Sequence, residues 1–145
     1  MTRSPALAPN VDAAALVFRV SLGVLMLAHG LLKVFVFTLP GTAGFFESVG
    51  FPGWSAYVVV PLEIVVGLAM IAGVGTRLAA LASIPVLIGA TKVHLGNGWL
   101  FSNANGGWEF PLFLIAIAVG VALLGGGRYV LFGQRESLVA SEARG

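Results

Sequence analysis

The chain has 145 residues, of which 58% are hydrophobic and 10% charged, and its formal net charge is +2 at pH 7. Soluble domains have about a quarter charged residues, so this chain lacks the polar side chains that a water-facing surface needs. Lipid can solvate an apolar surface instead. The basic residues are scattered, which argues against nucleic acid as a partner. The absence of cysteine excludes disulfide exchange and thiolate metal ligands on this chain.

Four stretches are apolar and long enough to cross a bilayer as helices, for which about 20 residues are needed. They cover residues 12–36, 55–74, 76–95 and 107–124. Asp12 is the predicted N-cap of the first helix, and a very short turn makes the second and third stretches an antiparallel hairpin. We predict an all-α fold, a transmembrane bundle of four helices. The sequences of its two halves are weakly similar. Duplication of a helical hairpin would explain this similarity, and so would chance.

The arginines outside the spans predict the orientation. Five of them lie on one side of a four-span topology, namely Arg3, Arg77, Arg128, Arg135 and Arg144. The opposite loops have no Lys or Arg beyond the helix ends, so the positive-inside rule places both termini in the cytoplasm. We expect cytoplasmic tails at residues 1–11 and 128–145 and a transmembrane domain at residues 12–127. Both longer loops then face outward, where their aromatic residues suit the headgroup region.

Seven ionisable residues fall in or at the ends of the spans, and six of them belong to the outward half: His29, Lys33, Glu63, Lys92, His94 and Glu109. A charge at mid-bilayer costs roughly 2.5–3.5 kcal/mol on insertion scales, so such residues need a partner or a function. We predict that these six line one polar pocket, whose aromatic rim is formed by Trp54, Trp99 and Trp108. Glu63 and His29 are the candidate proton carriers, and no residue is assigned as catalytic.

A structural interpretation stands beside each functional one. Arg19, the seventh residue, can extend to the cytoplasmic headgroups, and Lys33 and Lys92 can extend outward. Glu109 can cap the fourth helix, whose dipole favours an acid at that end. Glu63 is too deep to reach water easily, so it is either paired with a basic residue or protonated. An ion-pair network that only stabilises the helices is therefore an alternative to the pocket.

Short motifs in a fixed order lie along most of the chain. They are RVSLG at 19–23, HGLLK at 29–33, PLE at 61–63, GVGTRLAA at 73–80, GGWE at 106–109 and GGGRY at 125–129. Over residues 14–132 the sequence resembles the DoxX family of small four-helix membrane proteins. The resemblance implies a subunit associated with redox metabolism, since relatives are linked to quinone-coupled thiosulfate oxidation and to complexes that handle thiol or oxidative stress. Any thiol chemistry would belong to a partner.

The leading hypothesis is a quinone-site or accessory subunit of a membrane redox system, and not an independent enzyme. A quinone head group needs hydrogen-bond donors while its tail lies in lipid, and the predicted pocket suits both. The expected cofactor is a membrane quinone, with no metal or haem, because no ligand spacing favours either. The alternatives are a proton-linked transporter or exporter, expected as a homodimer, and a membrane scaffold for soluble redox enzymes. The expected partners are the bilayer and redox-enzyme subunits, in the inner (cytoplasmic) membrane of a prokaryotic cell.

Overall fold

The structure, a computed structural model, describes residues 9–131. These residues contain five α-helices and no strand: α1 (Pro9–Phe35), α2 (Leu39–Ser48), α3 (Ala56–Ala72), α4 (Thr76–His94) and α5 (Glu109–Leu124). The predicted all-α class is confirmed for this part of the chain. Residues 1–8 and 132–145 lie outside the described residues, and with them most of both predicted tails, including Arg3, Arg135 and Arg144.

Three helical stretches are long and apolar enough to cross a membrane, namely Asn10–Phe35, Gly53–Ala72 and Thr76–Asn97. The fourth apolar helix, α5, has 16 residues, and at about 1.5 Å per residue it is about 24 Å long. A hydrocarbon core is about 30 Å thick. A helix thus lies in each of the four predicted spans, but α5 is short enough that spanning requires local thinning of the bilayer.

Two local features differ from the sequence prediction. The helix α1 begins at Pro9, so Asp12 lies in its first turn and is not the N-cap. The Asp12 carboxylate instead accepts a hydrogen bond from Arg128 N at 3.0 Å. The connection predicted as an aromatic loop contains α2, a helix of 10 residues, whose N-cap hydroxyl on Thr38 accepts from Gly41 N at 3.2 Å. Pro40 lies in the first turn of α2, where a missing N–H has little effect.

The helices pack in a circuit around one core. The helix α1 packs mainly on α3, α3 packs on α4, α4 packs on α5, and α5 returns to α1. The buried core consists of Leu22, Met26, Val66, Met70, Ala79, Ala80, Leu87, Ala118 and Val121. Many large apolar side chains point away from this core, among them Leu78, which is 74% exposed, and Leu123, which is 75% exposed. An exterior of this kind suits lipid as the surrounding solvent.

Glycines allow α1 and α3 to approach closely. A Cβ at Gly67 would lie 2.7 Å from Leu27 N and 2.8 Å from Gly23 O. A Cβ at Gly23 would lie 2.9 Å from Gly67 O. No side chain fits at such distances, so the two backbones meet directly, as small residues permit between membrane helices. This contact fixes the position of α1 along α3.

Arg19 is buried, with 1% of its surface exposed, and so does not extend to the headgroups. Its guanidinium donates to Met70 O at 2.6 Å, Ile71 O at 2.8 Å, Gly126 O at 3.2 Å and Tyr129 O. The first two carbonyls belong to the last turn of α3, where the helix dipole favours a cation. The other two belong to the chain that follows α5. Arg19 therefore joins three parts of the fold.

Residues 125–131, here called the closing segment, cross the end of α3. Leu131 N donates to Ala72 O at 3.1 Å. A Cβ at Gly73 would lie 2.7 Å from Val130 Cγ1, so this turn also depends on glycine. Residues 128–131, which the sequence assigns to the C-terminal tail, thus pack on the helices.

Gly67→Ala tests the close approach of α1 and α3. We expect the free energy of unfolding to fall by about 1–3 kcal/mol, as for other overpacked interiors. Gly120→Ala in α5 is the matched control, because a Cβ at Gly120 meets nothing within 4 Å. Reversible unfolding in mixed micelles, followed by circular dichroism, gives both values. Equal stability of the two variants would contradict the contact.

Arg19→Lys tests the attachment of the closing segment. Arg19 donates to its four carbonyls from three nitrogens of a planar guanidinium. A lysine has a single nitrogen, so it cannot donate to all four carbonyls at once. Each buried carbonyl left without a donor costs roughly 1–3 kcal/mol, so we expect a clear loss of stability. We also expect trypsin to cleave faster after Arg128, which mass spectrometry of the fragments would measure. Lys92→Arg, at an exposed position near the other end of the helices, is the control, and an unchanged cleavage rate in Arg19→Lys would refute the attachment.

Candidate functional site

A lysine near the end of α1 and a glutamate in the first half of α3 form an ion pair. Lys33 Nζ donates to both carboxylate oxygens of Glu63, at 2.6 and 2.7 Å. The Glu63 side chain is 4% exposed and the Lys33 side chain 19% exposed. A charge in such surroundings is strongly destabilising when it is left alone. The structure therefore gives Glu63 a basic partner, Lys33.

The pair owes its geometry to the backbone around it. Gly30 lies one turn before Lys33, and a Cβ there would lie 2.7 Å from Ile64 Cγ1 and 3.3 Å from Glu63 Cβ. Because glycine leaves this space free, α1 lies directly against the turn that carries Glu63. The buried Thr42 on α2 donates its hydroxyl to Thr38 O at 2.8 Å and approaches Lys33 O at 3.4 Å. The helix α2 therefore lies beside the same end of α1.

The two histidines bond within their own helices. His29 is exposed on α1, and its Nδ1 donates to Leu25 O at 2.9 Å. His94 is half-buried, and its Nδ1 donates to Ala90 O at 2.7 Å. Within the described part of the chain, neither imidazole has a hydrogen bond or ion pair with Glu63. The structure does not bring either histidine into the Lys33–Glu63 pair.

Lys92 has an aromatic partner. It is exposed near the end of α4, and its Nζ lies 4.8 Å from the centre of the Phe51 ring. That distance is typical of a cation–π contact. Phe51 lies between α2 and α3 and also faces Gly89, where a Cβ would lie 3.8 Å from its Cζ. The contact joins this connection to α4. Lys92 therefore contacts Phe51 and not Glu63.

Glu109 holds the last long connection against the start of α5. Its Oε1 accepts from Phe101 N at 2.8 Å, and Glu109 N donates to Trp99 O at 3.1 Å. The rings of Trp99 and Trp108 meet edge to face, with centroids 4.5 Å apart. Trp54 precedes α3 on the other long connection and is 69% exposed. Of the predicted aromatic rim, Trp99 and Trp108 are the two in contact.

An open groove of about 510 Å³, here called the α5 groove, lies beside Glu109 and is lined by Trp99, Phe101, Glu109, Phe110, Leu112, Phe113 and Ala116. This groove was not predicted from the sequence. One signal was available, because residues 109, 113 and 116 have the spacing of a single helix face. The part contributed by the loop, with Trp99 and Phe101, depends on the fold of that loop.

The six candidates therefore occupy separate places. Lys33 and Glu63 form an ion pair in which Glu63 is buried, and Glu109 lies in the α5 groove. His29 and His94 bond within their own helices, and Lys92 contacts Phe51. Residues 9–131 contain no group of three His, Asp or Glu side chains that could hold a metal ion.

Comparison with known proteins identifies the family. A model of the DoxX family matches residues 14–96, which is more than half of the chain. "Putative oxidoreductase CatD" of Bacillus subtilis (strain 168) is 31% identical over 116 residues, which make up 80% of this chain and 82% of that relative. No solved structure matches the chain. The family match and the relative together confirm the resemblance seen in the motifs, and the chain belongs to the DoxX family.

Proposed function

We propose that this protein is a membrane subunit of a redox system and that it binds a quinone at the Lys33–Glu63 pair. Its apolar helices and its family support a membrane location. The name of its relative, an oxidoreductase, supports a redox role. The chain has no cysteine for thiol redox chemistry, so in this proposal a partner subunit supplies the electrons.

In the proposed topology, α1, α3, α4 and α5 form a four-helix bundle in the inner membrane with both termini in the cytoplasm. Arg77 and Arg128 lie at the end where the closing segment packs on α3, and Trp54, Trp99 and Trp108 lie at the opposite end. The positive-inside rule favours the arginine end as cytoplasmic. Lys33 and Glu63 then lie in the outer half of the bilayer.

The ion pair is the observation that carries the proposal. Lys33 gives two hydrogen bonds to Glu63, and an ammonium has three N–H donors. Among residues 9–131 the third donor has no hydrogen-bond partner, and the side chain is 19% exposed. A quinone carbonyl accepts such a bond, and its apolar tail can remain in lipid beside the exposed side of α1. Glu63 provides the charge that keeps Lys33 in place.

The pair also suits the proton balance of the reaction. A quinone that takes up two electrons takes up two protons to become a quinol. In this proposal Lys33 gives one of these protons to the reduced oxygen to which it donates, and water supplies the second proton and then recharges the pair. Its role is to bind the head group and to hold a proton at Lys33 Nζ.

The double variant Lys33→Met/Glu63→Met separates a functional role from a structural one. Well-packed apolar side chains often replace a buried ion pair without loss of stability, so we expect this variant to fold. We expect its affinity for decylubiquinone to fall at least about tenfold, since a hydrogen bond from a charged donor contributes roughly 1.5–3 kcal/mol. Binding to purified protein in maltoside micelles, measured by equilibrium dialysis, gives the affinities.

Glu47→Gln, at an exposed acid on α2, is the control and should bind decylubiquinone like the native protein. A folded double variant with native affinity would reduce the pair to a structural tether and refute the quinone site. Lys33→Met alone should lose both affinity and stability, because it leaves the Glu63 carboxylate buried without a partner.

A further inference from the structure

We propose that the α5 groove binds a small amphipathic organic cation, with its ammonium group at Glu109 and its apolar body along α5. This site is separate from the Lys33–Glu63 pair and does not depend on the proposed redox role. The inference rests on the charge of Glu109, on the rings around it and on the size and direction of the groove.

Glu109 provides a carboxylate with no cationic partner. In residues 9–131, the two ion pairs join Lys33 to Glu63 and Arg128 to Asp12, and neither involves Glu109. Its Oε1 accepts from Phe101 N at 2.8 Å, which fixes the orientation of the carboxylate. The side chain is half-buried at the groove. A fixed negative charge at the edge of an apolar surface attracts a cation.

The rings of the groove favour the same kind of ligand. Trp99, Phe101, Phe110 and Phe113 line it together with Glu109. The face of an aromatic ring attracts ammonium groups, and aromatic sites recognise quaternary ammonium ligands in this way. A quinone carbonyl is only an acceptor and would be repelled by the carboxylate. A quinol has hydroxyl groups that could donate to the carboxylate, but it has no positive charge to interact with the faces of the aromatic rings.

The lower part of the groove fits an apolar body of limited size. Leu112, Phe113 and Ala116 follow Glu109 at helical spacing, so the apolar wall continues along α5 from the charged end. The groove measures about 510 Å³, within the roughly 300–1,000 Å³ of sites for single small molecules. This size favours one small amphiphile over a phospholipid with two acyl chains.

The test compares benzyltrimethylammonium with neopentylbenzene, which has the same shape with carbon in place of the charged nitrogen. Titration calorimetry on the full chain in maltoside micelles, corrected for empty micelles, should show saturable binding of one cation per chain. We expect the neutral compound to bind at least about fivefold more weakly. Glu109→Gln should weaken the cation at least about fivefold and leave the neutral compound unchanged.

Glu109→Gln retains an oxygen that can accept from Phe101 N, so the loop keeps its anchor. Glu47→Gln at the exposed acid on α2 is the matched control. The double variant Lys33→Met/Glu63→Met should leave cation binding unchanged, which separates this test from the quinone test. If Glu109→Gln fails to fold, Phe113→Leu keeps apolar bulk but removes a ring, and should weaken the cation about threefold.

Equal affinity for the two compounds would overturn the proposal, as would native cation affinity in both Glu109→Gln and Phe113→Leu. Loss of cation binding when phosphatidylethanolamine is added to the micelles would also overturn it, because a lipid ammonium head group would then be the occupant of the groove.

Discussion

The backbones of α1 and α3 meet at Gly23 and Gly67, and the hydrogen bonds of two cations on α1, Arg19 and Lys33, depend on this contact. The helices run antiparallel, so Arg19 reaches the last turn of α3 while Lys33 reaches Glu63 near its start. These two residues of α1 are about 21 Å apart along the helix at 1.5 Å per residue. Larger side chains at the glycines would separate the helices and would lengthen the hydrogen bonds at both places together.

Arg19 and Lys33 donate to different kinds of acceptor, and this difference bears on what each residue can do. Arg19 donates to four backbone carbonyls, and a guanidinium stays protonated in proteins. It can hold the chain but cannot exchange a proton. Lys33 donates instead to the carboxylate of one ionisable side chain, Glu63. A buried ion pair is weak support for stability, and this is why the double methionine variant separates a tether from a working site.

The sequence predicted the helices and the family because these depend on local composition and on ordered motifs. It missed α2, since Pro40, Gly41 and Gly44 read as turn residues although Thr38 caps a helix there. The sequence also led to the prediction that six ionisable residues line one pocket. Distance from a helix end can be counted along the chain and gives depth in the bilayer. Direction around the helix axis requires knowledge of the neighbouring helix, and residues predicted in the same half of the bilayer, such as Glu63 and Glu109, face different partners.

The two ends of the protein differ in a way that bears on ligand access. At the arginine end, the Arg19 carbonyl bonds, the Asp12–Arg128 contacts and the Leu131 hydrogen bond hold the closing segment on the helices. At the other end, Lys33 keeps a partly exposed side chain and the α5 groove is open. In the proposed topology, a ligand would reach either site from the lipid or from the outer surface. Lys33 offers a donor and Glu109 an acceptor, so a molecule suited to one is disfavoured at the other. Because charge distinguishes the two proposed sites, the proposed quinone and the proposed organic cation would bind at the same end of the protein without competing.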